Sequence, residues 1–145
     1  MYQFKLQALL NHHQHQEEVC QKERAEAQRD LTEAQEKLRR LKKDKRVNIQ
    51  KLQTRQEGRH HPSEILIFIN YISQLSSEIK AQVQQVHKAE ENVTQKHNNL
   101  IAIVKKRKTL EKLKEKGWLE YQQKTLQAER KFNDEVAATR HFRKM

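Results

Sequence analysis

Between Ile65 and Leu110 the chain steps forward by three and four residues in strict alternation. The positions are Ile65, Phe68, Ile72, Leu75, Ile79, Gln82, Val86, Ala89, Val93, Lys96, Leu100, Ile103, Arg107 and Leu110, and eleven of these fourteen are apolar. A heptad of this kind keeps one narrow stripe on one side of a helix, and the stripe needs a second helix to cover it. The earlier part of the chain carries a weaker version of the same repeat. Leu31, Ala34, Leu38 and Leu41 hold it, and Ile49 and Leu52 resume it after what looks like an inserted shift. Before that, Phe4, Leu6, Leu9, Leu10 and Val19 make a patchy seam interrupted by His13 and Glu17.

One place breaks the pattern. Glu57-Gly58-Arg59-His60-His61-Pro62 holds one of two glycines and the only proline. Gly58 suits a left-handed helix end, Pro62 the first turn of a new helix, and Glu64 the positive end of its dipole. The expected fold is all-α: one coiled-coil domain over 1–145, with a first helix at about 3–56, a turn at 57–61 and a second helix at about 62–142. A short turn between long helices makes them antiparallel neighbours. At about 1.5 Å per residue they would run about 80 Å and about 120 Å, giving an elongated hairpin whose second helix overhangs. Residue 3 should then lie opposite about residue 117, which leaves 118–142 without a partner in the chain. That stretch carries Trp118, Leu119, Tyr121, Leu126, Phe132, Val136 and Phe142. Such a surface suits docking, although fraying or pairing with a second copy would also account for it. Ile67, Ile69 and Tyr71 lie off the seam, to be covered either by a bent first helix or by another protein.

Composition narrows the function. Hydrophobic and charged residues each make up 34% of the chain, too little apolar content for a thick core. Two glycines cannot build a phosphate-cradling loop or a dinucleotide fingerprint, and a two-helix rod has no water-excluding cavity. We therefore expect no enzyme and no cofactor. The lone Cys20 suits a seam position better than a nucleophile's, and its solitary state fits a reducing compartment. His12, His13 and His15 cluster, and His60 and His61 pair, but no Cys or carboxylate completes a metal site. The longest apolar run, Ile65 to Ile69, is far short of the about 20 residues that a membrane span needs. No apolar leader follows Met1, so a cytoplasmic protein is expected.

The net charge of +11 favours an acidic partner. Lys37 to Arg59 holds ten Lys or Arg against Asp44 and Glu57, and Lys105 to Lys116 holds seven against Glu111 and Glu115. Neither stretch contains an aromatic residue on which bases would stack. That favours a solvated helix face that attracts an acidic protein, with nucleic-acid binding by a basic coiled coil as the lesser alternative.

Three segments resemble a known family. Phe4-Lys5-Leu6-Gln7-Ala8-Leu9-Leu10 is similar to the opening of FliJ proteins, and Asn70-Tyr71-Ile72-Ser73-Gln74-Leu75, with Glu78, Ile79 and Gln82, to their middle. The run Arg107 to Lys116, then Tyr121, then Glu129 to Ala137 resembles their end. Gly117-Trp118 and the His-rich start and turn depart from the family's pattern. The resemblance implies a central stalk and adaptor of flagellar protein export. Such a stalk binds the hexameric export ATPase (FliI-like), the export gate protein (FlhA-like) and export chaperones. The equivalent stalk of a virulence injectisome is the alternative within that class. The resemblance places the ATPase contact on Phe4, Leu6, Leu10, Lys105, Lys106, Arg107, Lys108, Trp118, Tyr121, Phe132, Asp134 and Glu135. It places the gate contact on Tyr71, Leu75, Glu78 and Gln82. The protein would then sit at the cytoplasmic face of the inner membrane through its partners, without inserting.

Overall fold

A computed structural model of the chain describes residues 1–58 and 61–144. Two helices hold nearly all of them, α1 (Gln7–Gln56) and α2 (Pro62–Lys144). They pack against each other as an all-α two-helix hairpin, with no strand among the described residues. Pro62 opens α2, where its missing N–H is no loss, and the His61 carbonyl receives the Glu64 amide at 3.0 Å. Gly58 is not left-handed, contrary to expectation. Its amide instead bonds to the Arg55 carbonyl at 3.3 Å, a tightened last turn that satisfies an orphan acceptor. The expected turn residues Arg59 and His60, and with them the His60–His61 pair, lie outside the described residues. At the other end α1 begins at Gln7, later than the expected residue 3. The Gln7 amide closes a turn onto Phe4, and the Tyr2 hydroxyl, which donates to the Lys114 carbonyl, holds the leading segment off the helical path.

By its contacts the chain falls into two compact units, Val19–Leu100 and Met1–Glu18 with Ile101–Met145. In the first, every α2 position of the alternation from Ile65 to Leu100 is buried or half-buried. Leu75 (3% exposed) and Leu100 anchor it from α2, Ala27 and Leu31 from α1. A buried Leu contributes about 1.5–3 kcal/mol by leaving water, so these few residues carry much of the pairing. Three of the polar side chains on this seam make contacts across the helix pair. Gln82 is 7% exposed, and its Nε2 donates to the Ala34 carbonyl across the helix pair at 3.0 Å. Lys96 reaches Glu23 at 3.4 Å. Arg55 lies over the Phe68 ring at 4.8 Å and within 3.5 Å of Glu64. Together these contacts pin the register, because each names one partner where an apolar seam accepts several.

The seam of α1 is more regular than its apolar residues suggest. Leu38, Leu41, Lys45, Asn48, Leu52 and Arg55 are all partly buried in unbroken steps of three and four. No shift occurs after Leu41. Lys45 and Asn48 occupy the inner positions that the reading of apolar residues alone had skipped. The same correction applies near the start, within the other unit. His13 and Glu17 do not interrupt the seam but belong to it, whereas Leu6 and Leu9 are exposed. Long side chains make this possible, since Lys and Glu cover apolar surface with their stems and leave their heads wet.

Leu75→Ala should cost about 2–5 kcal/mol in urea unfolding, the range for a buried Leu that leaves a cavity. Ile67→Ala, at a side chain 67% exposed, should stay within about 0.5 kcal/mol. Equal losses would mean that the seam is not where the stability lies.

Candidate partner-binding surfaces

The unit made of Met1–Glu18 and Ile101–Met145 has a polar seam. Leu10 (2% exposed) and Leu110 are its buried apolar residues. Between them Arg107 projects inward, its Nε on the Glu17 carboxylate and its Nη1 on Glu111 at 2.8 Å. The Glu111 hydrogen bond, with Glu17 beside it, holds the guanidinium even more firmly in its charged form than usual. Arg107 is thus tied into the helix pair and does not join the basic surface expected of it. Lys105, Lys106 and Lys108 do, and all three are exposed.

An aromatic clasp closes this seam. The Tyr2 ring lies 5.8 Å from Trp118 and 5.7 Å from Tyr121, and Trp118 stacks on Tyr121 at 5.9 Å. Each such pair adds about 0.5–1.5 kcal/mol beyond area burial. Gly117 makes the clasp possible. A Cβ there would fall on the Tyr2 hydroxyl and within 3.2 Å of its Cζ. This accounts for a glycine in mid-helix, where it costs about 1 kcal/mol relative to Ala. It also corrects the expected boundary of the pairing: Trp118 and Tyr121 have a partner in Tyr2, one turn further along α2 than a residue-to-residue fold predicts.

Beyond the clasp, every residue from Leu119 to Glu135 is exposed. The seam positions that follow Tyr121 are Lys124, Ala128, Lys131 and Glu135, so the inner stripe has turned polar. Apolar character moves instead to another face. At 3.6 residues per turn, Trp118, Leu119, Leu126, Phe132 and Val136 fall within about 140° of one another, with Lys124, Gln127, Lys131 and Asp134 opposite. Phe132 is 66% exposed. The outcome is a helix with an uncovered side rich in large apolar residues, in which Gln122, Thr125, Glu129 and Asn133 are interspersed, and with acidic Glu135 beside it.

On the unit Val19–Leu100, Tyr71 and Glu78 are exposed on α2, with Ile67 nearby on the same flank. Glu78 accepts a hydrogen bond from Gln74 at 3.3 Å. Leu75 and Gln82 are seam residues facing α1 and present no side chain outward. Ile67, Ile69 and Tyr71 are not covered by α1. Of the residues expected to meet partners, Leu10, Leu75, Gln82 and Arg107 therefore face inward. Phe4 is half-buried, and Leu6, Trp118 and Tyr121 are partly open. Among the described residues no group of His, Cys, Asp and Glu is placed to hold a metal, and no helix is long and apolar enough to cross a membrane. The Tyr2 contact was missed from sequence. The signal for it was the glycine itself, one residue before the only Trp.

Heptad seam, short turn and uncovered faces define a two-helix coiled-coil protein with large apolar side chains left outside its seam. The family model described as "Flagellar FliJ protein" matches residues 2–145, and the chain belongs to that family, a non-catalytic component of flagellar export. No curated protein and no solved structure matches it.

Gly117→Ala should not stabilise the protein, despite Ala being the better helix former by about 1 kcal/mol. In a Tyr2→Ala background the same change should stabilise it by about 0.5–1 kcal/mol. A double-mutant cycle in thermal unfolding, with Trp118 fluorescence as the probe, reads the difference. An equal effect in both backgrounds would mean that Tyr2 does not occupy the glycine's space.

Proposed function

We propose that the chain is the central stalk and adaptor of a flagellar export ATPase. The uncovered apolar face of α2, from Trp118 to Val136, is the observation that carries this reading. It belongs to the same unit as the exposed Lys105, Lys106 and Lys108. On this reading the hexameric ATPase (FliI-like) takes that face, together with Leu6, Tyr121, Asp134 and Glu135. Apolar anchors inside a charged rim give a helix both grip and orientation in a pore. Tyr71 and Glu78, with exposed Ile67 beside them, form the contact for the export gate (FlhA-like), and export chaperones use other surfaces. Leu10, Leu75, Gln82 and Arg107 support these surfaces from inside. The chain supplies no chemistry of its own. It promotes assembly of the hexamer and couples ATP turnover to export, at the cytoplasmic face of the inner membrane and held there by its partners.

Adding the full chain to the cognate export ATPase should raise ATP hydrolysis, and a chain ending at Glu115 should not. Leu126→Asp with Phe132→Asp, both at exposed positions, should lose the stimulation while keeping the helical circular-dichroism spectrum. Undiminished stimulation by both variants would remove the apolar face from the working surface.

A further inference from the structure

The two flanks of the hairpin in the unit Val19–Leu100 differ in kind. On the flank shared with Tyr71 and Glu78, the groove between the helices is lined by residues of both signs, among them Asp30, Glu33, Lys37 and Lys88. On the other flank it is lined by Arg39, Lys42, Lys45, Arg46, Ile49 and Ile79: four cations, two Ile and no acid. Heptad geometry accounts for the sorting. Arg39, Lys42, Arg46 and Ile49 follow one another by three and four residues, a stripe beside the seam rather than in it. Val83, one turn beyond Ile79 on α2, is exposed. Arg39 is held by Glu36 at 2.6 Å, whereas Lys42, Lys45 and Arg46 have no ion pair among the described residues.

We propose that this groove binds an acidic amphipathic helix of another protein, seated as a third strand against the two helices. The floor is apolar and concave, the shape that a helix's apolar stripe fills and a flat bilayer does not. The cations all stand on the α1 side, so the occupant carries Glu or Asp along the side of its stripe that faces α1. A second copy of this chain does not meet that requirement. Its net charge is +11, and its own uncovered helix, from Trp118 to Val136, sets Lys124, Arg130 and Lys131 among Glu120, Glu129, Asp134 and Glu135, so it is close to neutral rather than acidic along one side of a stripe. The site lies on the flank away from Tyr71 and Glu78 and does not depend on the ATPase reading.

The test uses the full chain and a labelled synthetic helix of about three heptads, with Leu and Ile in its stripe and Glu elsewhere, followed by fluorescence anisotropy. Binding should weaken with salt, because Arg39, Lys42 and Arg46 are exposed and screened within about 10 Å at 0.1 M. Lys42→Glu with Arg46→Glu should weaken it at least about tenfold, and Lys37→Glu with Lys51→Glu, on the opposite flank, by no more than about twofold. Circular dichroism should show the same helix content in all three proteins. Equal loss in both double variants would overturn the proposal, since it would reveal only general attraction to a basic chain. Equal binding of the Lys-for-Glu version of the peptide would overturn it too. So would displacement of the peptide by phosphatidylserine vesicles that bind the wild type but not the Lys42→Glu, Arg46→Glu variant, which would assign the groove to a membrane surface.

Discussion

Everything in this protein hangs on one narrow contact, the apolar seam between α1 and α2. A chain with so few hydrophobic residues has no second layer to fall back on. Each seam residue therefore does two jobs: it holds the helices together and it decides which faces stay outside. The same pairing leaves the other faces uncovered, because a two-helix pair can hide only one stripe of each helix.

Polar residues on the seam give the pairing its specificity at some cost in stability. In the unit Val19–Leu100, Gln82 bonds the Ala34 carbonyl and Lys96 meets Glu23. In the other unit, Arg107 takes Glu17 and Glu111. Partly buried charge pairs of this kind roughly balance their desolvation, so they add little net stability, but a slipped register would strand them. The aromatic clasp of Tyr2 on Gly117, Trp118 and Tyr121 is a further register mark. It also marks where pairing stops and the uncovered face of α2 starts.

Much of the fold was legible from the heptad of α2, since all fourteen expected positions are buried or half-buried. The seam of α1 was less legible because Glu17, Lys45, Asn48 and Arg55 hold inner positions, and a search for apolar residues passes over them. Such residues are visible only once the partner helix fixes the phase. The same limit applied to the expected contact residues. Exposed Tyr71, Glu78 and Phe132 follow from helical period, but the inward turn of Arg107 depends on Glu17, 90 residues away in sequence. A run of Lys and Arg reads as one basic surface until a single member finds a carboxylate across the seam. The role of Gly117 likewise needed the position of Tyr2, which no local pattern gives.

Hydrogen–deuterium exchange of the full chain, with and without the cognate hexameric export ATPase, tests the central claim most directly. Amides of an uncovered helix open readily, and docking slows their exchange. The account predicts strong protection on binding across residues 118–136. Protection confined to residues 63–85, with 118–136 unchanged, would contradict it and move the ATPase contact to the other unit.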